Sequence, residues 1–207
     1  MCSSDLCLRS ENESLLLLQA FMGVTSVMSM ALAVVVSERR HVEEQLRRLA
    51  VSDPLTGLAN YRQLTELLEG EIKRCQRTGR SFAMLFLDLD GLKKINDRHG
   101  HLVGSRALCR VADAMRASSR AVDTGVRFGG DEFALVLPET AEAAAWQVAT
   151  RITERVKADG EAPKLSVSVG VAIYPRDGDT VEVLLSVADR LLYEAKVHAH
   201  GKSAHRA

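Results

Sequence analysis

Hydrophobic residues fall along this chain in three regimes. From Leu15 to Val36 every side chain is apolar or neutral. As a helix rising ~1.5 Å per residue, this run reaches ~33 Å, enough to cross the hydrocarbon layer of a bilayer. A buried core helix is seldom apolar on every face for so long. A secretory signal fits poorly, because Asp5, Glu11 and Glu13 stand where a basic region belongs. The pattern therefore predicts a transmembrane helix over 15–36, while residues 1–14 carry no interpretable signal. Residues 37–52 read as a charged linker helix, with Val42, Leu46 and Leu49 forming one short apolar seam. That seam suits pairing with a second copy, and equally a plain solvated linker.

In the third regime, from residue 53 onward, helical and strand spacings interleave. Asn60 followed by Gln63 reads as a capping box opening a helix through about Cys75. The continuous apolar run from Phe82 to Leu87 predicts a strand covered on both faces. A helix is expected from about Leu102 to Ser118. Two apolar stretches, 126–128 and 133–137, flank Gly129-Gly130-Asp131 and predict a hairpin. A helix over 141–158, a strand over 165–174 and a last helix over 181–198 complete the pattern. Helices interleaved with buried strands imply an α/β (α+β) domain built on one mixed sheet.

Charge and cysteine content narrow the function. Lys+Arg and Asp+Glu both number 27, so no global field draws the chain to nucleic acid, and none is expected as a partner. Cys2, Cys7, Cys75 and Cys109 form no CxxC pair and have no histidine at zinc spacing, which reads as idle thiols in a reducing compartment. The local balance says more. Arg39, Arg40, Arg47 and Arg48 follow the apolar run, and only Arg9 precedes it. The positive-inside tendency then puts everything after residue 37 in the cytoplasm.

Two acidic sites fall at strand edges. Asp88 and Asp90 end the apolar strand, and Asp131 and Glu132 lie at the hairpin tip. Carboxylates from neighbouring strands can converge on hard divalent cations, which bind phosphates as well. Such ions orient a triphosphate, activate a hydroxyl and neutralise a leaving pyrophosphate. Either acidic site alone is also what an ordinary strand end looks like.

The combination is more specific. Gly129-Gly130-Asp131-Glu132-Phe133 is the signature of the GGDEF family. Asp53-Pro54-Leu55-Thr56-Gly57-Leu58-Ala59-Asn60 resembles that family's opening segment, and the run from Asp88 to Asp97 resembles its metal- and base-binding segment. Gly100-His101-Leu102-Val103-Gly104 and Ser168-Val169-Gly170-Val171-Ala172 follow in family order. The resemblance covers 53–203. The apolar helix in turn resembles the last helix of a multi-span bacterial sensor, which would make this chain part of a longer inner-membrane protein.

The resemblance implies a central five-stranded mixed sheet wrapped by helices, as in nucleotide cyclases. It implies a diguanylate cyclase that joins two GTP molecules into cyclic di-GMP. Asp88, Asp131, Glu132 and Lys93 would be catalytic. Asp88, Asp131 and the Leu89 carbonyl would hold Mg2+, with Mn2+ as the alternative. Gly129 and Gly130 would let the backbone pass close to the nucleotide. Gly91, Leu92, Asn96 and Asp97 would line it, with Asn96 on the purine. Lys196 and Lys202 would reach the triphosphate. Catalysis would need a homodimer, which gives the linker helix the task of raising effective concentration. Arg120, Asp123 and Arg151 match the family's product-inhibition site, since arginine forks suit phosphates and purine edges.

Three departures from the family pattern qualify this reading. Ser105 stands where the family usually has a guanine-reading aspartate, and a hydroxyl, which donates and accepts, also suits adenine. Tyr61 replaces an arginine after Asn60. Both changes resemble a promiscuous subgroup that also makes cyclic AMP-GMP from GTP and ATP. The tail from Lys196 to Lys202 is longer than usual, which puts the role of Lys202 in doubt, and His198, His200 and His205 read as a frayed end. A non-catalytic cyclic di-GMP receptor and a membrane-tethered interaction module are the other readings.

Overall fold

The computed structural model describes the backbone of residues 4–49 and 52–204, and the side chains of 15–39 and 52–197. The chain divides into two compact units, residues 1–50 and 51–207. The first holds one continuous helix, α1 (Ser4–Leu49), where the sequence pattern predicted a span and a separate linker helix. Within it, large apolar side chains from Leu15 to Val36 are 42–73% exposed. The seam residues Val42, Leu46 and Leu49 lie outside the described side chains.

In the second unit the elements run β1 (Ala59–Asn60), α2 (Tyr61–Thr78), β2 (Phe82–Leu89), α3 (Leu92–His99), α4 (His101–Ser118), β3 (Thr124–Gly129), β4 (Glu132–Leu137), α5 (Glu142–Ala158), β5 (Val167–Tyr174) and α6 (Val181–Ala204). The strands form one five-stranded sheet in the order β1-β3-β4-β2-β5. Among the described residues, the β1–β3 pair is parallel and the other strand pairs are antiparallel. The expected five-stranded mixed sheet with surrounding helices is therefore present.

The side-chain period of two splits β2 between two apolar layers. Ala83, Leu85, Leu87 and Leu89 pack with buried residues of α4 and α5, such as Leu108, Met115 and Ile152. Phe82, Met84 and Phe86 pack with Leu64, Leu68 and Ile72 of α2 and with Leu184, Ala188 and Leu192 of α6. This double coverage explains why β2 reads as an unbroken hydrophobic run. α2 buries Leu64, Leu68, Ile72 and Cys75 on one stripe. Asn60 caps it, its side chain accepting from the Gln63 amide at 3.1 Å, and Gly79 ends it in the left-handed region.

Three boundaries differ from expectation. α3 was not anticipated, because Lys93, Lys94, Asp97 and Arg98 leave only Leu92 and Ile95 as apolar markers in eight residues. β1 is two residues long, below the reach of any periodicity. α6 continues to Ala204, through His198 and His200, which were expected to fray. His205 and the side chains of His198, His200 and Lys202 lie outside the described residues. Cys75 is buried and Cys109 half-buried, both as free thiols.

Candidate active site

β2 delivers its last residues to the end of the sheet where the β3–β4 hairpin turns. Asp88 lies opposite Glu132 in the β2–β4 register. The Leu89 amide donates to the Asp131 carbonyl at 3.0 Å, so the two acidic segments are stitched together by the ladder itself. The carboxylates feel one another. Burial pushes Asp88 above the ordinary carboxylate range; a hydrogen bond from Lys196 opposes this, while the charge of Asp131 adds to it. Burial likewise raises Glu132, and the negative charges of Asp88, Asp131 and Asp189 push the same way. Excess negative charge in a sheltered corner is what a bound cation relieves.

One cation already stands there. Lys196 extends from α6 and places its Nζ 2.7 Å from Asp88 Oδ2. Asp90 is differently employed. Both its oxygens accept hydroxyl hydrogen bonds, from Ser166 at 2.7 Å and Ser168 at 2.8 Å, and its amide donates to the Ser166 carbonyl. Asp90 thus ties the β2–α3 corner to β5, and its charge adds a smaller upward push on Asp88. Among the described residues no three His, Cys, Asp or Glu side chains gather into a cage for a metal. Asp88, Asp131 and the Leu89 carbonyl would offer oxygen donors of the kind a hard divalent cation takes.

The hairpin glycines are not demanded by packing. A Cβ built on Gly129 or Gly130 meets nothing within 4 Å. Gly130 has φ +50 at the turn, but Gly129 has no unusual φ, so neither strain nor crowding explains it. Both positions therefore open onto free space at the hairpin tip. Gly104 tells the opposite story. A Cβ there would sit 1.9 Å from Asn96 Oδ1, so the missing side chain is what lets the Asn96 carboxamide lie against α4. Ser105 follows it, half-buried, on the same helix. Asn96, Gly104 and Ser105 are therefore brought together by the α3–α4 corner at Gly100, while Gly91 caps the start of α3 in the left-handed region. Leu92 is half-buried here, and Lys93 and Asp97 are exposed on α3. Tyr61 packs edge-on against Phe128 of the hairpin strand, ring centroids 4.8 Å apart.

Two residues that sequence reasoning passed over act on this arrangement. Arg127 donates to both oxygens of Asp53, at 3.2 and 3.1 Å, and to the Gly130 carbonyl at 2.7 Å. It fastens the opening segment to the hairpin tip. Burial raises the Asp53 pKa, but the Thr56 hydroxyl and amide and the Arg127 guanidinium outweigh that and hold it below the ordinary carboxylate range. A group depressed in the folded state stabilises at neutral pH and loses that contribution as pH falls through its folded pKa. Asp189, exposed on α6, is the second; it adds negative charge at Glu132. An arginine two residues before the hairpin glycines was the available signal for the first; nothing in the pattern marked the second.

A separate cluster forms where α4 ends. Arg120 grips Asp123 through Nη2 at 2.8 Å and also reaches the Thr140 hydroxyl at 2.8 Å and the Pro138 carbonyl at 3.2 Å. The Asp123 side chain is nearly inaccessible, while Arg120 is more than half exposed. Arg151 comes over from α5 and donates to the Ser118 carbonyl, two residues before Arg120. The three residues expected to bind product thus share one corner, away from the paired carboxylates.

A mixed five-stranded sheet with carboxylates gathered at one end of β2 and β4 puts the domain among the nucleotide-cyclase-like folds. The chain belongs to the GGDEF family, whose sequence pattern, described as diguanylate cyclase, GGDEF domain, matches residues 50–202. It is 39% identical over 176 residues to the bifunctional diguanylate cyclase/cyclic di-GMP phosphodiesterase MucR of Pseudomonas aeruginosa, covering 83% of this chain and 25% of that protein. The crystal structure of a sensory box/GGDEF family protein from Caulobacter crescentus superposes with a TM-score of 0.67 at 38% identity, over 72% of this chain and 99% of that one. The coiled coil and GGDEF domain of DgcB from the same organism, solved with c-di-GMP, gives 0.66 at 26% identity, over 84% and 95%. The chain spans about a quarter of the length of MucR. Cyclases of the family use a divalent metal, and its members bind GTP and cyclic di-GMP.

Proposed function

We propose that the chain is a membrane-anchored diguanylate cyclase, condensing two GTP molecules into cyclic di-GMP and two pyrophosphates. The observation that carries this reading is the meeting of Asp88 with the Asp131–Glu132 turn beside the open space over Gly129 and Gly130. In each half-reaction a ribose 3′-oxygen bonds to the α-phosphorus of the other nucleotide. The bond from that phosphorus to pyrophosphate breaks, and the hydroxyl proton leaves to solvent. Asp88, Asp131 and the Leu89 carbonyl would hold Mg2+, which when bound neutralises phosphate charge and lowers the pKa of the attacking hydroxyl. Glu132 keeps the pocket electronegative, Lys93 and Lys196 steady the triphosphate, and Asn96 with Ser105 holds the base edge.

The product has two equivalent phosphodiester bonds, so two sites must face each other, and a symmetric homodimer meets that need. α1 supplies the anchor. Its exposed apolar run from Leu15 to Val36 is favourable only against lipid or other apolar surface. Arg39 and the arginines after it support a cytoplasmic cyclase domain at a bacterial inner membrane.

Full chain in detergent, incubated with GTP and MgCl2, should yield cyclic di-GMP on chromatography and mass spectrometry, and EDTA should abolish it. Adding ATP tests whether Ser105 admits adenine. Retained cyclic di-GMP without turnover would instead favour a receptor. Arg120, Asp123 and Arg151 form the proposed product-inhibition site. Arg120→Ala removes charge-assisted hydrogen bonds, so the cyclic di-GMP concentration that halves the rate should rise on the order of 10- to 100-fold. Superimposable inhibition curves for variant and parent would remove Arg120 from that role.

A further inference from the structure

Lys196 poses a problem of charge that its expected role does not resolve. Its Nζ lies 2.7 Å from Asp88 Oδ2, a charge-assisted contact to a carboxylate whose side chain is only 7% exposed. A divalent cation drawn to Asp88 is attracted by the same single carboxylate charge. Ammonium and cation repel each other there, so the carboxylate serves one fully only when the other withdraws. The lysine is also asked to steady a triphosphate, and it cannot do both from one position.

The surroundings decide which part moves. α6 rests directly on β5: a Cβ on Gly170 would lie 2.6 Å from the Leu192 amide nitrogen and 2.8 Å from the Ala188 carbonyl. Leu184, Ala188 and Leu192 are buried beneath it. The backbone one turn before Lys196 is therefore held, whereas the Lys196 side chain is 34% exposed. Its flexible four-carbon stem carries a compact charge that can swing between partners.

We propose that Lys196 is a displaceable countercharge. In the nucleotide-free protein it sits on Asp88 and competes with the divalent cation. When a triphosphate arrives, its oxygens draw the ammonium away and release Asp88 to the metal. This rests on the metal- and triphosphate-binding reading given above and adds a linkage to it. Metal alone binds weakly, triphosphate promotes metal binding, and by reciprocity metal promotes triphosphate binding. The protein is thereby kept from filling its carboxylates with a cation before substrate is present.

The test is Mn2+ binding to the full chain in detergent without nucleotide, read from the electron paramagnetic resonance of free Mn2+. Lys196→Met should bind Mn2+ about 10-fold more tightly than the parent, within the usual range of such couplings. Lys196→Arg, which keeps the charge, should stay close to the parent, and Asp88→Asn should lose the site in every background. A fluorescent GTP analogue in EDTA should bind Lys196→Met more weakly than the parent. Tighter metal with weaker triphosphate is a pair of opposite effects that a merely structural lysine does not produce. Equal or weaker Mn2+ binding by Lys196→Met, with Asp88→Asn still abolishing it, overturns the countercharge and leaves the cyclase reading standing. Mn2+ binding indifferent to Asp88→Asn removes the metal site and the countercharge together.

Discussion

Asp131→Asn should abolish dinucleotide formation by the full chain while leaving the fold as stable as before, or more so. The structural tie of this residue is its backbone carbonyl, which accepts from the Leu89 amide at 3.0 Å, and the substitution keeps it. What changes is one negative charge beside Asp88 and Glu132, which burial already raises and to which this charge adds. Removing a like charge relieves repulsion, for a gain of about 0.5–1 kcal/mol at a half-buried site. A gain of that size raises Tm by about 1–4 °C for a chain of this length. Loss of a carboxylate from a phosphoryl-transfer metal site costs several kcal/mol of transition-state stabilisation, or ~10³-fold in rate. Product assay and calorimetry on the same preparation check both. Activity within about threefold of the parent would exclude Asp131 from the chemistry. A Tm fall beyond about 5 °C would make its role structural.

That combination, a stabilising change that destroys activity, marks groups placed against the preference of the fold. That conflict was not by itself legible in the sequence. Asp88 and Asp131 stood out through the ordered motifs around them, because a carboxylate at the end of an apolar strand is by itself ordinary. The strand pairing that joins them followed once β2 and the hairpin were recognised. Asn96 was assigned through resemblance, and only the fold reveals its dependence on the bare α-carbon of Gly104. Arg127 stayed hidden because a half-buried arginine clamp looks like any strand residue until Asp53, far off in sequence, folds against it. Asp90 was grouped with Asp88 as one acidic strand end, with no separate task. Its capture by Ser166 and Ser168 depends on β5, which pairs with β2 from the distant end of the domain. α3 was invisible because its polar residues face solvent or the pocket rather than a core, leaving too few apolar positions to set a period.

Two glycines of the family motifs should respond to alanine in opposite ways. At Gly170 a methyl would meet Leu192 N at 2.6 Å, Ala188 O at 2.8 Å and Leu191 C at 3.0 Å. All three are backbone atoms of α6 and cannot rotate aside, so the helix must lift from β5. Lifting it loosens Leu184, Ala188 and Leu192 and draws Lys196 away from Asp88. Gly170→Ala should therefore cost about 3 kcal/mol, the upper part of the range for overpacking a core. For a domain of this size that lowers Tm by roughly 10 °C. At Gly129 a methyl meets nothing within 4 Å and the backbone is unstrained, so Gly129→Ala should leave Tm within about 2 °C. Its methyl would instead project into the open space at the hairpin tip where the proposed nucleotide passes, and turnover should fall ~10- to 100-fold, as for a misplaced substrate. Thermal unfolding and initial rates on the two variants separate the cases. An unfolding penalty at Gly129, or none at Gly170, would mean that the sheet end and the α6 contact are arranged otherwise. If Gly129→Ala is both stable and fully active, the space it opens is not where the nucleotide lies.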